Sequence, residues 1–203
     1  MKHIAKILLH LPSYVLHPFW MPTLAMLTFL LTCFPNISTT FTTWAIVGTF
    51  ISTGLIPLLI SILYVRNTAD TLEMTDRNSR IAPYIYTSVC YVFWCYFLSN
   101  GLSMPRFVMA PALGATVAIM AITLITIWWK ISAHTTCFGG VIGAMLGICH
   151  TLQLLPVTLI ITLFFIAVWL CWSRTYLKAH TPEELACGFL LGLSCTYFTS
   201  LLA

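Results

Sequence analysis

Long apolar runs alternate along the chain with short polar segments that hold most of its charged residues. Each run is close to the roughly 20 apolar residues that an α-helix needs to cross a bilayer. The pattern therefore predicts seven transmembrane helices. The predicted helices lie at about residues 14 to 34, 43 to 65, 82 to 99, 107 to 128, 137 to 153, 156 to 172 and 184 to 202.

Composition agrees with this pattern and sets the class of the protein. Of the 203 residues, 60% are apolar and 7% are charged, and the mean hydropathy is +0.96. These values lie far outside the range of soluble globular domains. We expect an all-α protein, a polytopic helical membrane bundle of about six to seven transmembrane helices, in which residues 1–203 form a single integral membrane domain.

The first predicted span differs from the others because prolines interrupt it. Pro12, Pro18 and Pro22 lie in or just before the opening apolar run, and proline bends or ends a helix by removing a hydrogen bond. Residues 3–12 are therefore expected to lie along the membrane interface as an amphipathic helix that leads into the span.

Charged residues fall almost entirely on one side of the predicted membrane. The N-terminus and the connections after the second, fourth and sixth spans share that side. Its cations are Lys2, Lys6, Arg66, Arg77, Arg80, Lys130, Arg174 and Lys178, and its acids are Asp70, Glu73, Asp76, Glu183 and Glu184. The cation bias is typical of a cytoplasmic face, but a mixture of cations and acids also suits an anion-binding site. The orientation stays open.

Three polar segments on that side carry candidate chemistry, namely residues 76–83, 130–134 and 173–188. In the third segment, Arg174 is followed by His180 and then by Glu184. An arginine, a histidine and a carboxylate at these intervals can hold a phosphate, attack it and orient the attacking group. The segment therefore indicates phosphoryl transfer.

The three segments resemble the motifs of the type 2 phosphatidic acid phosphatase superfamily, the membrane lipid phosphatases and their soluble haloperoxidase relatives. That family carries a lysine followed by arginine-proline, then Pro-Ser-Gly-His, then Ser-Arg followed by histidine and aspartate. The third motif matches at Ser173, Arg174 and His180, with Glu184 in the place of aspartate. The resemblance spans residues 73–188, and a phosphatase-like core is expected at about 73–192.

The second motif matches in part. Ser132 and His134 are present, while Ile131 and Ala133 replace the family's proline and glycine. The matching serine and histidine lie directly before the fifth predicted span, on the charged side of the membrane.

The first motif departs furthest from the family pattern. Arg80 stands for the family arginine, the proline is displaced to Pro83, and Glu73 occupies the place of the lysine. Arg77 is a candidate for the missing cation. Both arginines also fit a simpler role as topology determinants.

The resemblance implies a metal-independent lipid phosphatase that needs no cofactor. His180 would attack phosphorus and form a phosphohistidine, Glu184 would fix the tautomer of that ring, and His134 would protonate the leaving group. Guanidinium groups would grip the phosphate oxygens, because their planar shape matches phosphate. The implied phosphate-binding residues are Arg174, Arg80, Arg77, Lys130 and Ser132.

Glycine stripes support this picture by an independent route. They are Gly139, Gly143 and Gly147 in the fifth span and Gly188 and Gly192 in the seventh. Small residues at this spacing let membrane helices approach closely. The fifth and seventh spans should therefore pack together and bring His134 and His180, which precede them, to one site.

Purely structural explanations exist for part of the third motif. Thr181, Pro182 and Glu184 form a capping box at the start of the seventh span, so Glu184 would serve only as a cap. Arg174 and Lys178 also fit the role of interfacial anchors after a span.

The remaining histidines have weaker claims to function. His10 and His17 are seven positions apart and would share a helical face, which raises the alternative of a haem site, although prolines disturb that face. His150 is expected to be a packed polar residue near the far interface. The eight cysteines lie in or beside apolar runs, where they are interpreted as packing residues.

The predicted function is hydrolysis of a phosphate monoester or diphosphate of a membrane lipid in a bacterial cell membrane. Phosphatidic acid, phosphatidylglycerophosphate, a polyprenyl diphosphate and a lipid A phosphate all fit, and no nucleic-acid partner is expected. Trp128, Trp129 and Trp172 would sit at headgroup level near the lipid entry. The alternative is a catalytically silent relative that binds a phosphorylated lipid or acts as a membrane scaffold, because the first two motifs are altered.

Overall fold

The structure, a computed structural model, describes residues 2–33, 38–68, 74, 76–153 and 157–202. Every regular element within these ranges is helical, which confirms the predicted all-α class. The helices are α1 (Lys2–Val15), α2 (Met21–Cys33), α3 (Thr39–Thr49), α4 (Ile56–Thr68), α5 (Ile81–Tyr96), α6 (Arg106–Thr126), α7 (Ala133–Thr151), α8 (Val157–Tyr176) and α9 (Pro182–Ser200).

Short irregular helical segments lengthen two of these elements. The π-helical segment Phe50–Leu55 joins α3 and α4 into one helix, Thr39–Thr68. A 3₁₀ turn, Asn78–Arg80, precedes α5, and the π-helical segment Phe97–Gly101 continues it. Such segments keep the chain helical while changing which side chains face a neighbour.

Four helices among the described residues are long and apolar enough to cross a membrane. They are Thr39–Thr68, Asn78–Gly101, Arg106–Thr126 and Val157–Tyr176. These helices are compatible with an integral membrane protein. At 19 residues each, α7 and α9 are nearly as long, but both combine glycines with polar residues. The count of six to seven spans stays a prediction.

The opening segment differs from the predicted first span. Helix α1 ends at Val15 and α2 begins only at Met21, so a turn divides the run predicted at 14 to 34. Pro18 lies in this turn, and Pro22 lies in the first turn of α2, where its missing N–H costs no helical hydrogen bond. The helix of this run is therefore shorter than the span predicted at 14 to 34, and the prolines, which were expected to interrupt the segment, are the physical reason.

Helices α7 and α9 form the most extensive helix pair of the described bundle. A Cβ atom on Gly139 would collide with the backbone carbonyl of Phe189, and one on Gly192 with the carbonyl of Thr136. Only glycine lets the two backbones come this close. The close approach predicted from the glycine stripes is present in the structure.

The other helices surround this pair. Helix α6 packs against α9, α5 and α7, while α1 lies along α8 and α2 contacts α7. Antiparallel connections bring the starts of α5, α7 and α9 to the same end of the bundle as the end of α8. The residues of the three polar segments lie at this end.

Candidate active site

One cavity of about 830 Å³ opens among α1, α2, α5, α6, α7 and α8. Its polar wall contains Ser13, His17, Arg80, Tyr84, His134, Arg174 and His180. Apolar residues such as Phe29, Trp94 and Ile148 line the rest. From His134 to Ile148 the cavity follows α7 for roughly 21 Å, at 1.5 Å per residue. The cavity therefore has a polar end and a long apolar part.

His180 and Glu184 form the centre of the polar end. The Nδ1 atom of His180 lies 2.7 Å from Oε2 of Glu184. Because a carboxylate only accepts hydrogen bonds, Nδ1 carries the proton and the lone pair of the neutral ring is on Nε2. This contact orients the ring as the resemblance implies for a nucleophilic histidine.

Glu184 also caps α9. Its backbone N–H donates to the Thr181 hydroxyl at 3.4 Å, and its Oε2 accepts from the Thr181 backbone N–H at 3.3 Å. The predicted capping box is therefore present. The two explanations offered for Glu184 do not compete, since one carboxylate oxygen serves the helix and the histidine together.

His180 is held neutral. Burial above all, and then the charges of Arg80 and Arg174, lower the pKa of His180 to about 3. A hydrogen bond to the backbone of Lys130 acts in the opposite direction. With this balance the ring is uncharged at neutral pH, which is the form that can donate an electron pair.

His134 lies in the first turn of α7, with its ring directed toward α1. Its Nε2 is 3.2 Å from the backbone carbonyl oxygen of Ser13, and a carbonyl only accepts, so Nε2 carries the proton of the neutral ring. Burial, followed by the charge of Arg174, lowers the pKa of His134 well below its ordinary value. His134 and His180 line the same cavity, as the glycine stripes predict.

Two arginines face the cavity with defined partners. Arg80 is only 6% exposed; its Nε donates to the Met74 carbonyl at 2.8 Å, and it shares a hydrogen bond with the Tyr84 hydroxyl. Arg174 donates from Nη1 to the Ser13 hydroxyl at 3.2 Å. Guanidinium groups fixed in this way are pre-arranged to receive an anion.

The other implied phosphate ligands do not line the cavity. Arg77 donates to the backbone carbonyl of Trp128 at 2.6 Å, tying the start of α5 to the α6–α7 connection. The Ser132 hydroxyl caps α7 by accepting from the backbone N–H of Thr135. The structure gives both residues a structural role, and a contact of either with phosphate stays a prediction.

Lys130 lies beside the site without reaching the cavity wall. Its side chain is half-buried. Burial and the positive charge of Arg80 lower its pKa, while Glu184 acts in the opposite direction. Lys130 thus contributes positive potential next to His180. Asp70 and Glu73, the latter at the position of the family lysine, lie outside the described residues.

The contribution of α1 was not anticipated from the sequence. The Ser173 hydroxyl, which is fully buried, donates to the carbonyl of Leu9 and lies 3.4 Å from the Ser13 hydroxyl. Helix α1 is thereby fixed to the end of α8, and Ser13 reaches the cavity. The signal that could have indicated this is the pair of polar residues, Ser13 and His17, within an otherwise apolar opening run.

Expectations for the remaining histidines need correction. Since α1 ends at Val15, His10 and His17 do not share a helical face, although both line the cavity. His150 is exposed rather than packed, and its Nδ1 lies 2.9 Å from the hydroxyl of Tyr197.

The tryptophans predicted at headgroup level, Trp128, Trp129 and Trp172, are all exposed and lie outside the cavity wall.

Comparison of the chain with family models, with curated proteins and with solved structures gives no match. Fold and site together define an all-helical protein with apolar helices long enough to cross a membrane and a cavity that combines histidines with arginines. Within the described ranges, no group of three or more His, Cys, Asp or Glu residues could hold a metal ion.

Proposed function

We propose that the chain is a multi-pass membrane enzyme that hydrolyses a phosphate monoester or diphosphate of a lipid through a phosphohistidine on His180. One observation carries the proposal. A histidine whose Nδ1 is held by a carboxylate shares a cavity with two arginines and a second histidine. The resemblance of the three motifs to type 2 phosphatidic acid phosphatases supports the same chemistry.

In the first step, the lone pair on Nε2 of His180 forms a bond to phosphorus while the P–O bond to the lipid breaks. The electron pair of that bond leaves with the lipid oxygen, which takes a proton from the imidazolium form of His134. A bound phosphate anion raises the pKa of His134 and so favours this charged form. Arg80 and Arg174 stabilise the charge that spreads over the remaining phosphate oxygens.

In the second step, water attacks phosphorus and the N–P bond breaks. The electron pair returns to Nε2 of His180, and neutral His134 accepts the proton that the water loses. Glu184 keeps Nδ1 of His180 protonated and the ring aligned in both steps. Apart from the lipid and the attacking water, every group in these two steps belongs to the chain itself.

The substrate is an amphiphile with a phosphorylated head. The polar residues occupy the end of the cavity at the starts of α5 and α7, and the cavity continues along apolar residues deep into the bundle. An alkyl or isoprenoid chain fits such a lining because it gains from leaving water. Phosphatidic acid, phosphatidylglycerophosphate, polyprenyl diphosphates and lipid A phosphates all combine these parts. We place the enzyme in a bacterial cell membrane, as one domain with its phosphatase-like core at about 73–192.

A silent lipid-binding relative is the second candidate, and two contacts of Ser13 favour it. Ser13 engages both His134 and Arg174, so two groups of the proposed machinery are already bound to α1. A binding protein needs no more than the arginines, whereas an enzyme needs His134 released to the leaving group.

The test is phosphate release by the detergent-purified full chain in EDTA, with the four lipids above and glycerol 3-phosphate as a water-soluble comparison. The proposal expects turnover of at least one lipid, loss of turnover in His180→Ala, and little turnover of glycerol 3-phosphate. Binding of a lipid phosphate without release of phosphate by the wild type would instead identify the silent relative.

A further inference from the structure

The turn between α1 and α2 places a third histidine beside the proposed catalytic pair. His17 lines the same cavity as His134 and His180. Its ring centroid is 5.1 Å from that of His134, and the two planes meet at 81°. The chemistry proposed above uses only two of these three imidazoles.

The protein fixes both the position and the tautomer of His17. The backbone N–H of Phe19 points at Nδ1 from 3.4 Å, so Nδ1 accepts and the neutral ring carries its proton on Nε2. The rings of Phe19 and Trp20 pack at centroid distances of 4.8 and 5.1 Å. A proton on Nδ1 would point at the backbone N–H of Phe19, and two donors repel each other. The geometry therefore favours a neutral ring that donates from Nε2.

Within the part of the chain that the structure describes, no group accepts a hydrogen bond from Nε2 of His17. Since the residue lines the cavity, this donor is available to a ligand there. A donor that is held at a site's wall without a protein partner is a common element of specificity.

The position of His17 relative to His134 indicates which part of the ligand it meets. His134 protonates the leaving oxygen in the proposed mechanism, so His134 lies on the leaving-group side of phosphorus. His17 and the Ser13 carbonyl both contact His134 from the α1 side. The leaving group is therefore expected on the side of His134 that faces the α1–α2 turn.

We propose that His17 is a specificity-determining residue that donates a hydrogen bond from Nε2 to an oxygen of the leaving group. This inference rests on the proposed function and deepens it. The acceptor is an oxygen of the lipid headgroup, or of a second phosphoryl group in a diphosphate. Because the donor is neutral, it selects for the position of that oxygen without adding charge.

The experiment compares two substrates that share the phosphoryl group and differ in the leaving group. One is the lipid phosphate that the wild type hydrolyses fastest among the four lipids, and the other is p-nitrophenyl phosphate, whose leaving group departs readily without such a contact. The variants are His17→Phe, which keeps a ring and removes the donor, and His17→Gln, which keeps a donor at similar reach. His150→Phe is the matched control at the opposite end of α7.

We expect His17→Phe to lower kcat/KM for the lipid by roughly 10- to 100-fold, as is typical for one lost hydrogen bond to a polar or charged group. For p-nitrophenyl phosphate the change should stay below about 3-fold, because a lost contact to the leaving group affects only substrates that use it. His17→Gln should retain lipid activity within about 3-fold, because glutamine keeps a donor in the site. His150→Phe should match the wild type on both substrates, because His150 lies outside the site.

An equal loss on both substrates, or no loss in His17→Phe, would overturn the inference while leaving the proposed function in place. A wild type that hydrolyses neither substrate would overturn the proposed function, and the inference with it. If His17→Phe does not fold, the pair His17→Gln and His17→Asn decides, because asparagine is too short to place a donor at the Nε2 position. Equal activities of that pair would then contradict the inference.

Discussion

The two ends of the α7–α9 pair carry histidines in opposite environments. At one end, His180 is 7% exposed, its Nδ1 is held by the Glu184 carboxylate, and Arg80 and Arg174 act on it electrostatically. At the other end, His150 is exposed and its Nδ1 meets the neutral hydroxyl of Tyr197 at 2.9 Å. Both histidines lie on or beside the same two helices, yet among the described residues only the His180 end combines histidines with arginines and a carboxylate.

This difference shows that helix packing and site chemistry are separate contributions of the sequence. The glycine stripes bring α7 and α9 together along their whole length. The charged residues, by contrast, lie almost entirely at the end where α5, α8 and α9 add arginines and a carboxylate, and Arg106 at the start of α6 lies at the other end. The following predictions test whether the two ends differ in function as they differ in environment.

The largest expected effect separates the two histidines directly. His180→Ala should lower the rate of lipid phosphate hydrolysis by roughly 10⁴-fold or more, because the proposed nucleophile is lost. His150→Ala should stay within about 2-fold of the wild type. Steady-state phosphate release by the two purified variants measures the contrast, and similar rates would contradict the assignment of the active end.

The next prediction separates the two roles of Glu184. Glu184→Gln should keep the capping box, since glutamine serves at this position, but should lower activity roughly 10²- to 10⁴-fold because a neutral amide holds the His180 tautomer less well. Thr181→Ala should show the reverse pattern, costing about 0.5 to 2 kcal/mol of stability with activity largely kept. Activity and thermal unfolding in detergent are measured on both. Equal activity losses would mean that Glu184 acts through the helix alone.

The arginines provide a third contrast. Arg174→Leu should lower activity roughly 10²- to 10³-fold, the usual result of removing one group that stabilises charge in a transition state. Arg77→Leu should cost less than about 5-fold, because the Arg77 guanidinium is bound to the Trp128 carbonyl outside the cavity. A larger loss in Arg77→Leu than in Arg174→Leu would return Arg77 to the phosphate site.

Two adjacent glycines test the packing of the helix pair. A methyl group on Gly139 would collide with the Phe189 backbone, whereas one on Gly140 would meet its nearest atom, Cγ2 of Thr196, at an ordinary 3.5 Å. Gly139→Ala should therefore destabilise the protein by about 1 to 3 kcal/mol, and Gly140→Ala should be nearly neutral. The apparent midpoint of thermal unfolding in detergent reports both, and equal midpoints would contradict the close backbone approach.

The last contrast is a pH dependence of stability. The pKa of His180 is about 3 in the folded protein and near 6.5 when unfolded, so the unfolded chain binds more protons as pH falls below 6.5. The contribution of His180 to the free energy of unfolding should be fully present above pH 6.5. It should decline toward pH 3, by up to about 1.4 kcal/mol per pH unit for this one proton. His180→Gln should flatten the decline between pH 6.5 and 4.5. An unchanged slope would mean that His180 is not buried as described.

The sequence was informative where the pattern is local. Helical class follows from the length of the apolar runs, and the Thr181–Glu184 capping box follows from adjacent residues. The approach of α7 and α9 also follows from a simple repeat of glycines. In each case, the interaction involves residues at a fixed helical spacing, which the sequence displays directly.

What the sequence did not reveal depends on contacts between distant segments. The docking of α1 joins Leu9 and Ser13 to Ser173, across about 160 positions, and no local pattern encodes such a contact. Arg77 resembled a phosphate ligand by its position near a motif, but its partner is a backbone carbonyl in another connection. Motif spacing therefore indicated the contact of His180 with Glu184, but it did not indicate the partner of Arg77.

The most direct test of the central claim is detection of the covalent intermediate. The full chain is mixed with its best lipid phosphate, quenched within milliseconds at alkaline pH, where phosphohistidine is stable, and digested for mass spectrometry. The account predicts a phosphoryl group on His180, and none in the same peptide from a wild-type sample without substrate. Turnover of the lipid with no phosphoryl group on His180, or with one on another residue, would contradict the account.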